Sequence, residues 1–328
     1  MIFDRRTILS GIIAIGVAPT IVSCGSSGSS GSPGSSNAKL TVMLDWLLNA
    51  NHASLFAAQH CGAFNRAGLE VTLVSPADPD SPSRLVAAGQ ADLAVSYGTQ
   101  INMLVGQGLP LVRIATLVDH PLNAVAALDG GPIRSFSDLK GRTIGVAVGG
   151  VEEALLDAML ASAGIEPSDV TIVRANYGVV TGILSRRIDA AIGAFRNAEV
   201  FTIEAAGAKP LVFLPEDHGV PLYDELILVA RDDRKQDPRF PRFLRAVREG
   251  TAALLKDPDT FLSAFLAAHP EQRNATIARA WPVTLAMLAR DPVRLDRQRY
   301  LAMQDFCLRR GIIDRTLSLE RFAVELAV

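Results

Sequence analysis

The chain has 328 residues, 49% of them hydrophobic, with 32 Lys+Arg against 34 Asp+Glu. That length suits two lobes better than one small domain, and the apolar share is enough for a sizeable core. A net charge of -2 and only 6% aromatic residues exclude a nucleic-acid partner or a membrane surface held by bulk charge.

The three cysteines, Cys24, Cys61 and Cys307, lie far apart. They form neither a metal-ligand spacing nor a disulfide framework.

Residues 1–24 read as a lipoprotein signal peptide. Arg5 and Arg6 give a charged start, and residues 8–22 are mostly apolar but short and broken by Gly11, Gly16 and Pro19. That pattern suits an export signal better than a transmembrane anchor. Ile21-Val22-Ser23-Cys24 resembles the lipobox cut by lipoprotein signal peptidase, which leaves Cys24 as the lipid carrier. Arg5-Arg6 followed by Thr7-Ile8-Leu9 also resembles a twin-arginine signal. Ordinary signals also begin with basic residues, so the export route stays open. Residues 25–38 are a Gly/Ser-rich tether with no large apolar residue to bury. The expected product is a lipoprotein of the cell envelope, anchored to a membrane and facing the periplasm or the outside. Such a protein cannot draw on cytosolic ATP or NADH.

The folded chain opens on a short apolar strand, residues 40–44. It runs into Leu44-Asp45-Trp46-Leu47-Leu48-Asn49-Ala50-Asn51-His52. A carboxylate, an aromatic plane, two amides and an imidazole within nine residues suit the gripping of a flat, nitrogen-rich ring. The aromatic stacks, and the polar groups read the ring edge. The plainer reading is a strand-to-helix turn with a buried Trp and an Asn or Asp cap.

Helical spacing follows over residues 53–64, then a strand at 69–74, a short helix at 83–88, a strand at 90–97, a helix at 99–106 and a strand at 111–117. Strands alternating with helices predict a parallel sheet with ligand groups at the carboxyl ends of its strands, where Asp45, Trp46 and Tyr97 fall. Residues 123–128 are extended and end on Gly130-Gly131-Pro132. A second α/β unit follows: a strand at 142–148, a helix at 152–163, strands at 170–174 and 190–195, a helix at 198–206 and a strand at 210–214. Residues 225–231 form one more strand, and from Pro241 the pattern is helical. The expected architecture is α/β, with residues 39–128 and 224–328 as lobe I and residues 129–223 as lobe II. Two extended crossings join the lobes, and the helical tail packs back on the first. Hinged closure on a ligand is a standard use of that shape.

Leu44-Asp45-Trp46 followed by Asn49 and Asn51-His52 resembles the signature of the thiamine-pyrimidine-precursor binding proteins. Gly68-Leu-Glu-Val with Pro76-Ala-Asp-Pro79, Asp92-Leu-Ala-Val-Ser-Tyr97 and Gly219-Val-Pro-Leu-Tyr-Asp-Glu225 support the resemblance, which spans residues 40–268. Those relatives are type II periplasmic binding proteins that feed ABC importers and take formylaminopyrimidine or hydroxymethylpyrimidine. The eukaryotic pyrimidine-precursor synthases share the fold. The resemblance thus implies a small heteroaromatic ligand, an ABC permease as partner, no cofactor and no enzymatic activity. The synthase branch uses a lysine that holds pyridoxal phosphate, together with a cysteine cluster. Here Ser96 stands where that lysine would fall and no cysteine cluster precedes Glu225, so Schiff-base chemistry has no anchor. The family also has a proline between the Trp and the first Asn, where this chain has Leu47-Leu48, and often an aromatic at the position of Ala198.

Ten residues make up the candidate ligand site. Trp46 and Tyr97 are stacking faces, with core packing as the alternative. Asp45 and Asn49 read the ring edge. Glu199 and Glu225 could accept from an exocyclic amine and a ring N–H; a solvated helix charge and a strand-edge salt bridge are the plainer readings. His52 bonds ligand or caps the helix. Tyr223 covers the ligand from the second crossing or packs at the hinge. Asn197 belongs to a second-lobe segment, Gly193 to Glu199, that resembles the family's ligand segment. Gly149-Gly150 before a helix invites an anion, as in the sulfonate- and nitrate-binding relatives of this fold. Glu152 and Glu153 already complement that helix dipole and would repel one. A neutral or amine-bearing ligand touching Glu152 is therefore favoured over an anion. No hydrolase elbow or paired-His metal motif is present.

Overall fold

The computed structural model describes residues 37–328; the signal peptide, Cys24 and most of the tether lie outside the described residues. The first sheet has the order β2-β1-β3-β10-β4, built from β1 (Ala38–Met43), β2 (Leu69–Val74), β3 (Leu93–Tyr97), β4 (Leu111–Val118) and β10 (Leu226–Arg231). The second has the order β7-β6-β8-β5-β9, from β5 (Val125–Leu128), β6 (Thr143–Val146), β7 (Thr171–Arg174), β8 (Ala190–Ile192) and β9 (Pro210–Phe213). Residues of β3, β4, β8 and β10 are buried almost throughout, because helices cover both faces of such sheets.

Helices α1 (Ala53–His60), α2 (Ala63–Arg66), α3 (Pro82–Ala87) and α4 (Ile101–Gly106) belong to the first sheet. Helices α5 (Val151–Ser162), α6 (Val179–Leu184) and α7 (Glu199–Ala205) belong to the second. The tail holds α8 (Arg239–Lys256), α9 (Pro258–Ala268), α10 (Ile277–Met287) and α11 (Arg297–Arg309). The single helix expected over residues 53–64 is two, because Gly62 takes φ +73° and stops the first.

Three expectations need correction. Neither sheet is purely parallel: β5 and β10 each run antiparallel to their neighbours. These are the two strands that enter directly from the other lobe. They start at the cleft, whereas strands fed by a helix end there. Second, β5 was expected to close the first lobe, yet it pairs with β8 and β9, so the second lobe begins before residue 128. Third, the tail does not pack on the first lobe alone. Met303, Phe306 and Cys307, on one face of α11, join the core of the second lobe, while Tyr300 joins that of the first.

The crossings are clipped together. The Glu225 carboxyl accepts from Leu122 N at 2.6 Å and Asn123 N at 2.9 Å, binding the second crossing to the first. Asp224 beside it accepts from Thr116 and Tyr300 and pairs with Arg299, fixing α11 to the same point. Among the described residues no helix is long and apolar enough to cross a membrane.

Candidate functional site

Four strands of the two sheets, β1, β3, β6 and β8, end at the cleft between the lobes, and the residues just beyond them line a cavity that opens to solvent. From the first lobe come Asp45, Trp46, Asn49, Asn51 and Tyr97. From the second come Ala147, Val148, Glu152, Gly193, Phe195, Ala198 and Glu199. No lysine or arginine is among these lining residues.

Asp45 is buried and held from behind. His52 Nε2 lies 2.8 Å from one of its oxygens, and the Tyr97 hydroxyl donates to the other at 3.1 Å. His52 Nδ1 accepts from Asn49 N at 3.1 Å, so the ring proton sits on Nε2 and points at Asp45. The Asn49 side chain in turn accepts from Asn51 N, which closes the turn after the first strand. The turn is thus both a cap and a support for a carboxylate.

Glu152 faces Asp45 from the other lobe. Its side chain accepts from Ala147 N and Val148 N, each at 2.9 Å, and from Asn123 Nδ2 at 3.3 Å. Burial outweighs those bonds and pushes the carboxyl up to about 8. Glu153, by contrast, turns back to Gly150 N at the start of α5. Glu199 is half-buried, accepts from Phe195 N at 3.0 Å, and is pushed by burial up to about 7. The cavity therefore holds three acids with no lining cation, and burial makes two of them, Glu152 and Glu199, hold their protons more tightly than a free carboxyl does.

Of the ten residues expected at the site, Asp45, Trp46, Asn49, Tyr97, Glu152 and Glu199 line the cavity. Four do not. His52 is behind Asp45. Asn197 donates to Asn51 at 2.6 Å and to Thr284 at 2.8 Å, tying the lobes together beside a neighbouring groove. Tyr223 is buried in the second lobe's core, and Glu225, pushed by burial up to about 7, clips the crossings. Ala198 lines the cavity, and Phe195, three residues earlier, supplies a ring in its neighbourhood.

Asn123 escaped the sequence reading. Its side chain touches Glu152 and accepts from Gly193 N at 3.0 Å, joining a crossing to both second-lobe walls. Nothing in its neighbourhood along the chain marks it. Gly193 has a clearer reason: at φ +89°, a Cβ there would lie 2.7 Å from both Glu152 carboxyl oxygens.

The family described as NMT1/THI5 like matches residues 49–261. The chain belongs to that family. A Haemophilus influenzae protein named for thiamine biosynthesis is 41% identical over 88% of this chain and 92% of its own length. The formylaminopyrimidine-binding protein of Halalkalibacterium halodurans is 32% identical over 75% and 76% of the two chains. Other NMT1/THI5-like relatives carry the name 4-amino-5-hydroxymethyl-2-methylpyrimidine phosphate synthase, among them one from Legionella pneumophila at 26% identity over 79% of this chain and 83% of that one. The alkanesulfonate-binding protein of Xanthomonas axonopodis pv. citri, solved with MOPS, superposes with a TM-score of 0.70 at 16% identity, covering 88% of this chain and 98% of that one. Together with the two sheets and their crossings, this gives the chain the two-lobed α/β fold of the type II periplasmic binding proteins.

In this member of the NMT1/THI5-like family, Ser96 lies on β3 outside the cavity. Its hydroxyl lies 2.9 Å from that of Ser83 and donates to Gln100.

Proposed function

We propose that the chain is the solute-binding component of an ABC importer and takes an amino-substituted heteroaromatic ring of the thiamine-precursor pyrimidine class. The observation that carries this reading is a cavity walled by Trp46 and Tyr97, facing Asp45, Glu152 and Glu199, with no lining cation. Aromatic faces stack a flat ring, and the acids take hydrogen bonds from an exocyclic amine and ring N–H groups. A sulfonate would find no lining cation to offset its charge. The formylaminopyrimidine-binding relative supports the same ligand class. With no amine among the lining residues, pyridoxal phosphate has no Schiff-base partner there, which favours capture over synthesis. The signal features of residues 1–24 support capture outside the cytoplasm, on a lipid anchor at Cys24.

The test is titration calorimetry and thermal melting with formylaminopyrimidine. At a hundredfold excess over Kd the ligand adds about 2.7 kcal/mol of stability, and it alters Trp46 fluorescence on binding. Taurine gives no response. Binding of taurine without response to any pyrimidine would overturn the reading, as would a pyridoxal Schiff base with its characteristic absorbance. Cys24→Ser abolishes lipid labelling and releases the protein from membranes; retained labelling would remove the anchor from the proposal.

A further inference from the structure

The outer side of the cleft is bridged by residues outside the cavity. Asp80, between β2 and α3, accepts from Gly149 N at 2.9 Å and pairs with the guanidinium of Arg174 at the end of β7. Three residues beyond Arg174, the Tyr177 hydroxyl donates to the Pro76 carbonyl at 2.9 Å. Its ring meets the Trp46 indole edge-on, with centroids 4.3 Å apart and planes at 62°. Asp80, Pro76 and Trp46 belong to the first lobe; Gly149, Arg174 and Tyr177 belong to the second.

Two further observations set Tyr177 apart. Asn176, just before it, has φ +46°, a left-handed conformation that a residue with a side chain adopts at a cost. Such strain persists where its surroundings hold it in place, and it concentrates at clamps and switches. Tyr177 is also 37% exposed, unusual for a large ring in this chain, so core packing does not explain its placement. It lies at the mouth of the cleft, against Trp46, a cavity-wall aromatic that is itself half-exposed.

We propose that Tyr177 is a positioning residue for the ligand site. It seats the Trp46 indole from the opposite lobe, and with the Asp80–Arg174 pair it forms a clasp that sets how slowly ligand leaves. This rests on the reading of the cavity as a solute site. Closure brings the Tyr177 ring onto Trp46, and ligand cannot pass Trp46 until that contact opens. Edge-on aromatic pairs and one added hydrogen bond favour the closed side, whereas the exposed ion pair adds little by itself. The clasp therefore slows release, and where it forms before ligand arrives it slows entry as well, to a smaller extent.

Stopped-flow fluorescence with formylaminopyrimidine tests this. Tyr177→Phe keeps the ring and loses the bond to Pro76, and dissociation is expected to be about fivefold faster. Tyr177→Ala is expected to speed it by about tenfold or more, a larger change than any in association. Arg174→Ala gives a smaller increase in the same direction. Dissociation of Tyr177→Ala at the unaltered rate, or an effect confined to association, overturns the proposal. A readout without ligand separates this proposal from the ligand assignment. The chain has two tryptophans, and Trp281 is buried away from the cleft. If no pyrimidine binds, the ligand class is wrong, but the emission spectrum still decides on the clasp. A red shift and easier acrylamide quenching in Tyr177→Ala support Tyr177 seated on Trp46, and an unchanged spectrum refutes it.

Discussion

Replacing Gly193 with alanine adds one methyl group at a crowded point of the cavity wall. The added Cβ would lie 2.6 Å from the Ala147 Cβ and 2.7 Å from each carboxyl oxygen of Glu152. Ala147 has no rotamer to escape into, and Glu152 is held by two backbone amides. The substitution also forces a side chain into φ +89°, costing about 1–2 kcal/mol. Overpacking adds about 1–3 kcal/mol. The total is about 2–5 kcal/mol, and with an unfolding entropy of roughly 0.6 kcal/mol/K for a fold of this size, Tm falls by about 3–8 °C. Gly207→Ala is the control. It has φ +80° but open space around the added methyl, so it incurs the backbone cost alone. Calorimetric melting of both variants isolates the contact with Glu152, and titration of Gly193→Ala with formylaminopyrimidine is expected to show about tenfold weaker binding. If Gly193→Ala costs no more than Gly207→Ala, Glu152 is not held where described and the account of the cavity fails.

Glu152, Glu199 and Glu225 are pushed by burial from an ordinary 4.5 to about 8, 7 and 7, so each holds its proton more tightly folded than unfolded. Their contribution to stability is complete below about pH 4.5 and is lost as pH rises to about 8. Melting temperature is therefore expected to fall between pH 5 and pH 8, and Glu152→Gln, whose amide oxygen can accept both backbone bonds, to stabilise the protein at pH 8 by on the order of 1–3 kcal/mol. A melting temperature that rises over that window would contradict the assignment. Tyr97→Phe removes the hydroxyl donated to Asp45 but keeps the ring; about 1–2 kcal/mol of stability is lost and affinity drops less than in Tyr97→Ala. Equal affinity losses for the two variants, measured by titration calorimetry, would show that the ring does not stack.

Much of the fold is readable because buried strands between two helical layers are apolar runs bounded by turn residues. β2 coincides with its expected limits, and most other elements shift by only a few residues. The run at residues 125–128 reads as a strand, but nothing in four apolar residues states which sheet it joins. Pairing is a property of the whole lobe. The convergence of Asp45, Trp46 and Tyr97 follows from a rule about strand ends, so it too is legible. The roles of Glu225 and Asn123 are not. One carboxyl reaches amides a hundred residues away, and one amide side chain joins the first crossing to two walls of the second lobe, with no periodicity to record either contact. Tyr177 is hidden for the same reason, since its partners Trp46 and Pro76 lie more than a hundred positions upstream.

The straddling of α11 has a practical consequence for anyone cutting this protein. The second lobe has a continuous stretch of chain, which invites its excision or its exchange for the equivalent stretch of a relative. Yet Met303, Phe306 and Cys307 complete its core from far downstream. A fragment ending at the second crossing would expose the apolar face those residues cover, and a graft would succeed only if its recipient's final long helix carried matching side chains. The lobe is continuous in sequence but is not a separable domain.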